Sequence, residues 1–360
     1  IVLTHGNLEL WQVYLGNIIT GAFNAFQFPA FSAAVTLMIP KEHYSRAAGM
    51  MDFAGASSGI LAPAFAGALL GPIGLGGIMA IDIATFIFAI LAVLVVHMPQ
   101  PAPEPHQAGA KRPSLVQDSL YGFRYILARP SLMGLQLAFT AINFISAFGG
   151  VITIPLILAR TGNNAGTLAT VESLAAFGGV AGGLIMSTWG GPKRKTRGVL
   201  LGMSAESLLG PLVLGVSRTL PGWIFGGFMS QAWIPIINGS NQAIWQSKVQ
   251  PAVQGRVFAT RRMIAQISFP VAVLFAGPLA DRVFEPAMQG GGWAAQLFGP
   301  LVGTGPGAGM GLMVALSGLF GVVVGLIGYM VPTVRNAESI LPDFDAASAP
   351  PAPEAEAAAA

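Results

Sequence analysis

Four carboxylates fall within or beside long apolar stretches: Asp52, Asp82, Glu172 and Glu206. A charged side chain in hydrocarbon costs a few kcal/mol on insertion scales, so an acid in such a place points to a watered cavity or a proton relay. Asp52, Asp82 and Glu172 lie about a turn and a half inside their expected helices, and Glu206 lies near the middle of its own. No basic residue is expected within a span to pair with them, which suits groups that take up and release protons. All four are candidates for proton coupling; for Asp52 the plainer alternative is an interfacial carboxylate near a helix N-terminus.

A second set of residues suits binding. Asn238, Asn241, Gln242 and Trp245 recur at helical spacing near the end of one apolar stretch, with Trp233 and Pro235 deeper in it. Asn24 and Gln27 (with Asn17) sit on another stretch, and Thr140 and Asn143 on a third. Uncharged polar groups among aromatics suit an amphipathic organic solute better than a bare ion, and the same groups also serve interhelical hydrogen bonds. Other chemistries find no residues. There is no cysteine, and His5, His43, His97 and His106 are scattered without an HxxxH pair, so no metal site is expected. Nor is there a GxxxxGK[ST] or HExxH motif; neither an enzyme nor ATP-driven transport is expected, and no cofactor.

The elements that must position these residues follow from composition. Of 360 residues, 53% are hydrophobic and only 9% charged, against about 25% charged in soluble domains. With a mean hydropathy of +0.66, the bilayer is the main solvent, and a soluble enzyme or a nucleic-acid binder is excluded. A membrane core about 30 Å thick needs about 20 apolar helical residues. Stretches of that length, with Gly71-Pro72 and Thr161-Gly-Asn-Asn164 as boundaries, predict an all-α polytopic membrane protein of nine transmembrane helices, at 10–32, 47–70, 75–97, 131–158, 167–190, 198–217, 220–246, 260–280 and 309–331.

Basic residues set the topology. Clusters at Lys41/Arg46, Lys111 to Arg129, Lys193 to Arg197 and Lys248 to Arg262, and the lone Arg335, are separated by pairs of spans, which puts them all on the cytoplasmic side. Only Arg160, Arg218 and Arg282 fall opposite. That scheme places the C-terminus in the cytoplasm and residue 1 outside. Because the chain starts at Ile1 with no signal-peptide pattern, it reads as a fragment missing an odd number of N-terminal spans.

Gly55, Gly59, Pro63, Gly67 and Gly71, at intervals of four, form one stripe on the second expected span and are expected to seat another helix, either statically or at a rocking interface. Gly178/Gly182, Gly179/Gly183 and Gly321/Gly325 repeat the idea. The expected organisation is 1–98, three spans of a first bundle; 99–130, a cytoplasmic linker with a Pro-rich spacer and an amphipathic helix on the membrane surface; 131–332, a six-helix bundle; and 333–360, a disordered cytoplasmic tail.

Several segments carry a family resemblance: Gly21-Ala-Phe-Asn-Ala-Phe-Gln-Phe-Pro-Ala-Phe-Ser32, Ile39-Pro-Lys-Glu42, Ser58-Gly-Ile-Leu-Ala-Pro-Ala-Phe-Ala-Gly67, Asn238-Gly-Ser-Asn-Gln-Ala-Ile-Trp-Gln-Ser-Lys248, Gln254-Gly-Arg-Val-Phe258 and Ala276-Gly-Pro-Leu-Ala-Asp-Arg282. Together they resemble a major facilitator superfamily transporter of the macrolide-efflux and enterobactin-exporter branch. The resemblance implies a twelve-helix fold in two bundles, of which this chain carries helices four to twelve and lacks the first three. Trp189-Gly-Gly-Pro-Lys-Arg-Lys-Thr-Arg197 is similar to the family's signature loop in its second half. The resemblance implies a monomeric exporter in the cell membrane that moves an amphipathic small molecule by alternating access, with protons as the coupling ion. It also places Glu172 on an interface-lining helix and so ranks it ahead of Glu206. The alternative expectation is a truncated membrane protein, or an assembly partner, that does not itself transport.

In this cysteine-free chain, cysteines introduced at Thr161 and at Lys195 are expected to react with membrane-impermeant maleimide from opposite faces. Labelling of both from one face would refute the topology.

Overall fold

The computed structural model describes residues 10–95, 115–289 and 292–344. Residues 1–9, the Pro-rich spacer 99–105 and the tail from 345 lie outside them. Every regular element described is helical: α1 (Leu10–Met38), α2 (Tyr44–Val95), α3 (Leu115–Leu127), α4 (Pro130–Arg160), α5 (Ala165–Trp189), α6 (Lys195–Leu209), α7 (Pro211–Val216), α8 (Leu220–Lys248), α9 (Pro251–Gln266), α10 (Ser268–Leu279), α11 (Glu285–Met288), α12 (Trp293–Val302), α13 (Ala308–Met330), α14 (Pro332–Arg335) and α15 (Ala337–Ile340).

Among the described residues, seven helical runs are long and apolar enough to cross a membrane, and their differences from the nine expected spans have local causes. The expected spans 47–70 and 75–97 form one run that breaks at Gly74, where φ is 63° and ψ 180°. With its preceding turn, the run covers Lys41–Val95, 55 residues, which is enough for two crossings of about 20 each. The expected span 198–217 is among the seven as Lys195–Val216, kinked where Gly210 leaves helical geometry (φ −96°, ψ −95°) ahead of Pro211, because the proline ring disfavours the helical conformation in the residue before it. The expected span 220–246 exists as α8 but is not among the seven, since its Asn, Gln and Trp residues lower its hydropathy.

The expected span 260–280 begins earlier. Gln250 is extended and Pro251 stands at the first helical position, where its missing N–H is no loss. Arg256, expected outside the span, therefore stands on α9 with Arg261 and Arg262. Residues 333–344, expected as the start of a disordered tail, instead form α14, α15 and an ordered segment with Val334 and Ala337 buried.

The basic clusters gather at one end. Glu338 accepts hydrogen bonds from the backbone of Lys195 and Thr196, Lys248 pairs with Asp343 at 2.9 Å, and Tyr125 Oη donates to the Lys248 carbonyl at 3.3 Å. Arg160, by contrast, binds the carbonyls of Ser217 and Val302, and Arg218 those of Gly299 and Pro300. α3 packs against α9 and α4 through Ile126, Tyr121 and Tyr125, while Leu120 and Leu127 stay exposed.

The close helix contacts run through glycine, though not through the expected stripe. α5 lies between α2 and α8. A Cβ on Gly183 would stand 2.6 Å from Phe53 Cα, and one on Gly49 2.7 Å from Ser187 N. On the other face of α5, Gly178 and Gly182 meet the backbone of Phe228 and Ala232 in α8. Cβ atoms at Gly55, Gly59, Gly67 and Gly71 would meet nothing within 4 Å among the described residues, and Pro63 is exposed. Two causes combine. Gly49 precedes Gly55 by six positions, about 240° around the helix at 3.6 residues per turn, so the start of the stripe points away from α5; Gly67, about five full turns beyond Gly49, shares its azimuth but lies past the stretch from Gly49 to Ala56 that meets the α5 glycines.

Overpacking a close contact typically costs about 1–3 kcal/mol. Gly183→Leu is expected to lower the thermal unfolding midpoint in detergent by several degrees, with Gly59→Leu close to the parent. The reverse order would show that the α2–α5 contact is misplaced.

Candidate functional site

Two cavities lie one beyond the other along α4 and α8. The inner one, about 320 Å³, is lined by α1 (Phe28, Ser32, Val35), α2 (Ala48, Met51, Asp52), α4 (Gln136, Phe139), α8 (Asn238, Asn241, Gln242, Gln246) and α9 (Phe258, Arg261, Arg262). The second, about 450 Å³, lies further from the basic end. It takes Asn143, Ser146 and Thr153 from α4, Glu172 and Ala175 from α5, Glu206 from α6, and Ser230 and Gln231 from α8. Phe139 and Asn238 line both; they are the partition between the two spaces.

The inner cavity is polar on one wall and aromatic on another. Asn241, Gln242 and Gln246 face it because α8 places residues three and four apart on one side. Asn241 Oδ1 accepts a hydrogen bond from Trp245 Nε1 at 3.2 Å, and Gln246 Nε2 donates to the Ser32 carbonyl at 3.1 Å, tying α8 to α1. Asn238 and Asp52 line the cavity together, and the Asp52 Oδ2 is buried without a partner. The Arg261 guanidinium stacks over the Trp245 ring at 4.2 Å and donates to Gln242 Oε1 at 3.4 Å, yet its Nε is buried and unbonded. Gln136 Oε1, Gln242 Nε2 and Gln246 Oε1 are likewise unbonded. A wall that offers unsatisfied donors and acceptors together is suited to an organic guest with polar groups of both kinds.

The second cavity is acidic. Glu206 is only 5% exposed, and its Oε2 accepts from Ser207 Oγ at 3.0 Å. Glu172 is exposed toward the cavity. No Lys or Arg lines this space, so its two carboxylates have neutral amides and hydroxyls for neighbours.

The sequence-derived candidates therefore divide. Asp52, Asn238, Asn241 and Gln242 meet in the inner cavity, and Glu172, Glu206 and Asn143 in the second. Thr140 lines neither; it donates to the Gln136 carbonyl at 2.9 Å and receives Gln136 Nε2 at 3.4 Å. Trp233 packs against the core around Trp245 and Phe258. Asn24, Gln27 and Asp82 are exposed and line neither cavity, because α1 turns Phe28, Ser32 and Val35 inward instead. Gln136, Gln246 and Arg261 were missed. The first two carry a legible signal: Gln136 precedes Thr140 by one turn, and Gln246 continues the α8 polar row. Arg261 was hidden by its place in a basic cluster.

A helical chain with apolar runs of membrane-crossing length and polar cavities between them is a multi-pass membrane transporter in class. The chain belongs to the Major Facilitator Superfamily, whose family model matches residues 2–273. It is 25% identical over 289 residues to Macrolide efflux protein A of Streptococcus pyogenes, covering 79% of this chain and 69% of that protein. It is 25% identical over 279 residues to Macrolide efflux protein A of Enterococcus faecalis, covering 76% of this chain and 84% of that protein. An uncharacterised transporter of the same superfamily from Bacillus subtilis, YkuC, is 29% identical over 161 residues, 44% of this chain and 36% of that protein. The chain is thus a transporter of the macrolide-efflux-like branch, in a family of transporters rather than enzymes.

Asn238→Leu takes a polar neighbour from the partly buried Asp52 carboxylate and is expected to cost about 1–3 kcal/mol. In a double-mutant cycle with Asp52→Asn, which removes the charge needing that neighbour, most of the loss should vanish. Additive effects in thermal unfolding would show that the two side chains do not interact.

Proposed function

We propose that this chain exports an amphipathic small molecule by alternating access, in exchange for protons. The carrying observation is the pair of cavities that share Phe139 and Asn238, one amide- and aromatic-lined and the other acidic. The proposed bundles are 1–98 and 131–332, joined by 99–130; they rock about the glycine contacts of α5, so that the inner cavity opens between α1–α2 and α8–α9. Glu172 is the proposed coupling acid, since it stands in the second cavity beside open space, and Glu206 is its buried partner. In the proposed orientation the basic end and the C-terminus face the cytoplasm, in line with the positive-inside rule. The efflux activity named for the two relatives supports the outward direction.

A second reading, an assembly partner that does not itself transport, draws on the open glycine face at Gly55, Gly59, Gly67 and Gly71. Reconstitution separates the two. In inside-out proteoliposomes with an acidic lumen, the protein is expected to drive uptake of fluorescent amphiphilic dyes. Glu172→Gln keeps the side chain's shape but cannot titrate; it is expected to lose pH-driven uptake about ten-fold or more while keeping dye-for-dye exchange, as general acid and base groups command such factors. An unchanged pH profile in that variant removes Glu172 as the coupling site, and no uptake by the parent favours the second reading.

A further inference from the structure

Residues 335–344 lie across the basic end of the inner cavity, and their contacts divide unequally between the two sides. On one side Glu338 caps α6: Oε1 accepts from Lys195 N at 3.0 Å, and Oε2 from Thr196 N and Thr196 Oγ1, both at 2.8 Å. A carboxylate held by the first-turn N–H groups of a helix is well placed both as a cap and against the helix dipole. Thr196 Oγ1 also donates to the Arg335 carbonyl at 3.0 Å. Lys248, at the end of α8, donates to the carbonyls of Glu338 and Leu341 and pairs with Asp343 Oδ1 at 2.9 Å, with its side chain 5% exposed.

On the other side is Lys41, in the turn between α1 and α2. Its Nζ lies 3.7 Å from Asp343 Oδ2 and 4.3 Å from the Phe344 ring centroid, with the lysine 28% and the aspartate 42% exposed. Asp343 is thus shared between a lysine on the α8 wall of the inner cavity and a lysine beside the α1–α2 wall. If those walls part, one of the two pairings must break. Lys248 is buried and lies 2.9 Å from the aspartate, whereas the Lys41 pairing is longer, at 3.7 Å, and open to water on its aspartate side, where an ion pair is weak. The break falls at Lys41.

We propose that 335–344 is a conformational latch. Its root, Glu338 on α6 and Lys248 on α8, stays fixed, and its tip, Asp343 with Phe344, releases Lys41 each time the inner cavity opens. The latch rests on the alternating-access reading and adds to it an internal element that sets how often the basic end stands open.

The test uses a single reporter cysteine, Val35→Cys, inside the inner cavity of the otherwise cysteine-free protein, reconstituted in nanodiscs and reacted with a membrane-impermeant maleimide. Asp343→Asn combined with Phe344→Ala is expected to raise the labelling rate about two- to five-fold, the range a partly exposed ion pair commands. Lys41→Met cuts the same contacts from the opposite side and is expected to give the same rise, with no further increase when the changes are combined. Unchanged labelling in both variants overturns the latch. Labelling reports cavity opening whether or not a solute is carried, so a rise in labelling without dye uptake upholds the latch while counting against the exporter reading.

Discussion

Backbone-to-backbone contact on both faces of α5 is the constraint on which the rest depends. Gly183 and Gly49 bring α5 against α2, and Gly178 and Gly182 bring it against α8. Small residues allow such approach in lipid, where packing rather than the hydrophobic effect holds helices together. With α5 as a thin spacer, the ends of α2 and α8 come close enough for Asn238 and Asp52 to line one cavity and for Gln246 to reach Ser32 on α1. A bulkier α5 would separate the amide row of α8 from α1 and α2, and the inner cavity would lose its shape. Met186 of α5, fully buried, fills the space against Gly49 of α2 and Gly239 of α8.

What the sequence made legible follows the physics of each signal. Long apolar runs are forced by the bilayer thickness, so the helices of the membrane part were visible, and Gly74 and Pro211 explain where runs break. The amide row from Asn238 to Gln242 was visible because helical spacing puts it on one face. Which face of α2 packs was not visible. A stripe of glycines shows where close approach is permitted; partners on other elements decide where it occurs, so Gly49 and not Gly59 meets α5. Arg261 and the segment 335–344 were misjudged for a related reason. Composition read the first as a topology signal and the second as tail, while burial beside Trp245 and capping of α6 by Glu338 are tertiary facts.

The charges are sorted along the molecule. Arg261 and Arg262 face the inner cavity with Asp52, whereas Glu172 and Glu206 face the second without a cation. Burying an ionised group is costly unless it is compensated, a constraint that falls on Glu206, 5% exposed and bonded to Ser207 Oγ, and not on exposed Glu172. A solute or proton that moves between the two spaces meets Asn238 and Phe139 at the boundary, where one neutral amide and one ring offer no charge to trap it. In the proposed exporter this arrangement would join recognition at the basic end to proton exchange in the deeper space, with the boundary at α8, which lines both.

The central claim is that the two spaces open in alternation about α5. Pulsed electron paramagnetic resonance on two spin-label pairs tests it most directly: Arg46→Cys with Gln250→Cys at the basic end, and Leu70→Cys with Thr219→Cys at the other. The account predicts reciprocal populations, with the first distance lengthening as the second shortens when pH is lowered or an amphiphilic dye is added. Distances that stay single and unmoved under both changes, or that lengthen together, would contradict it.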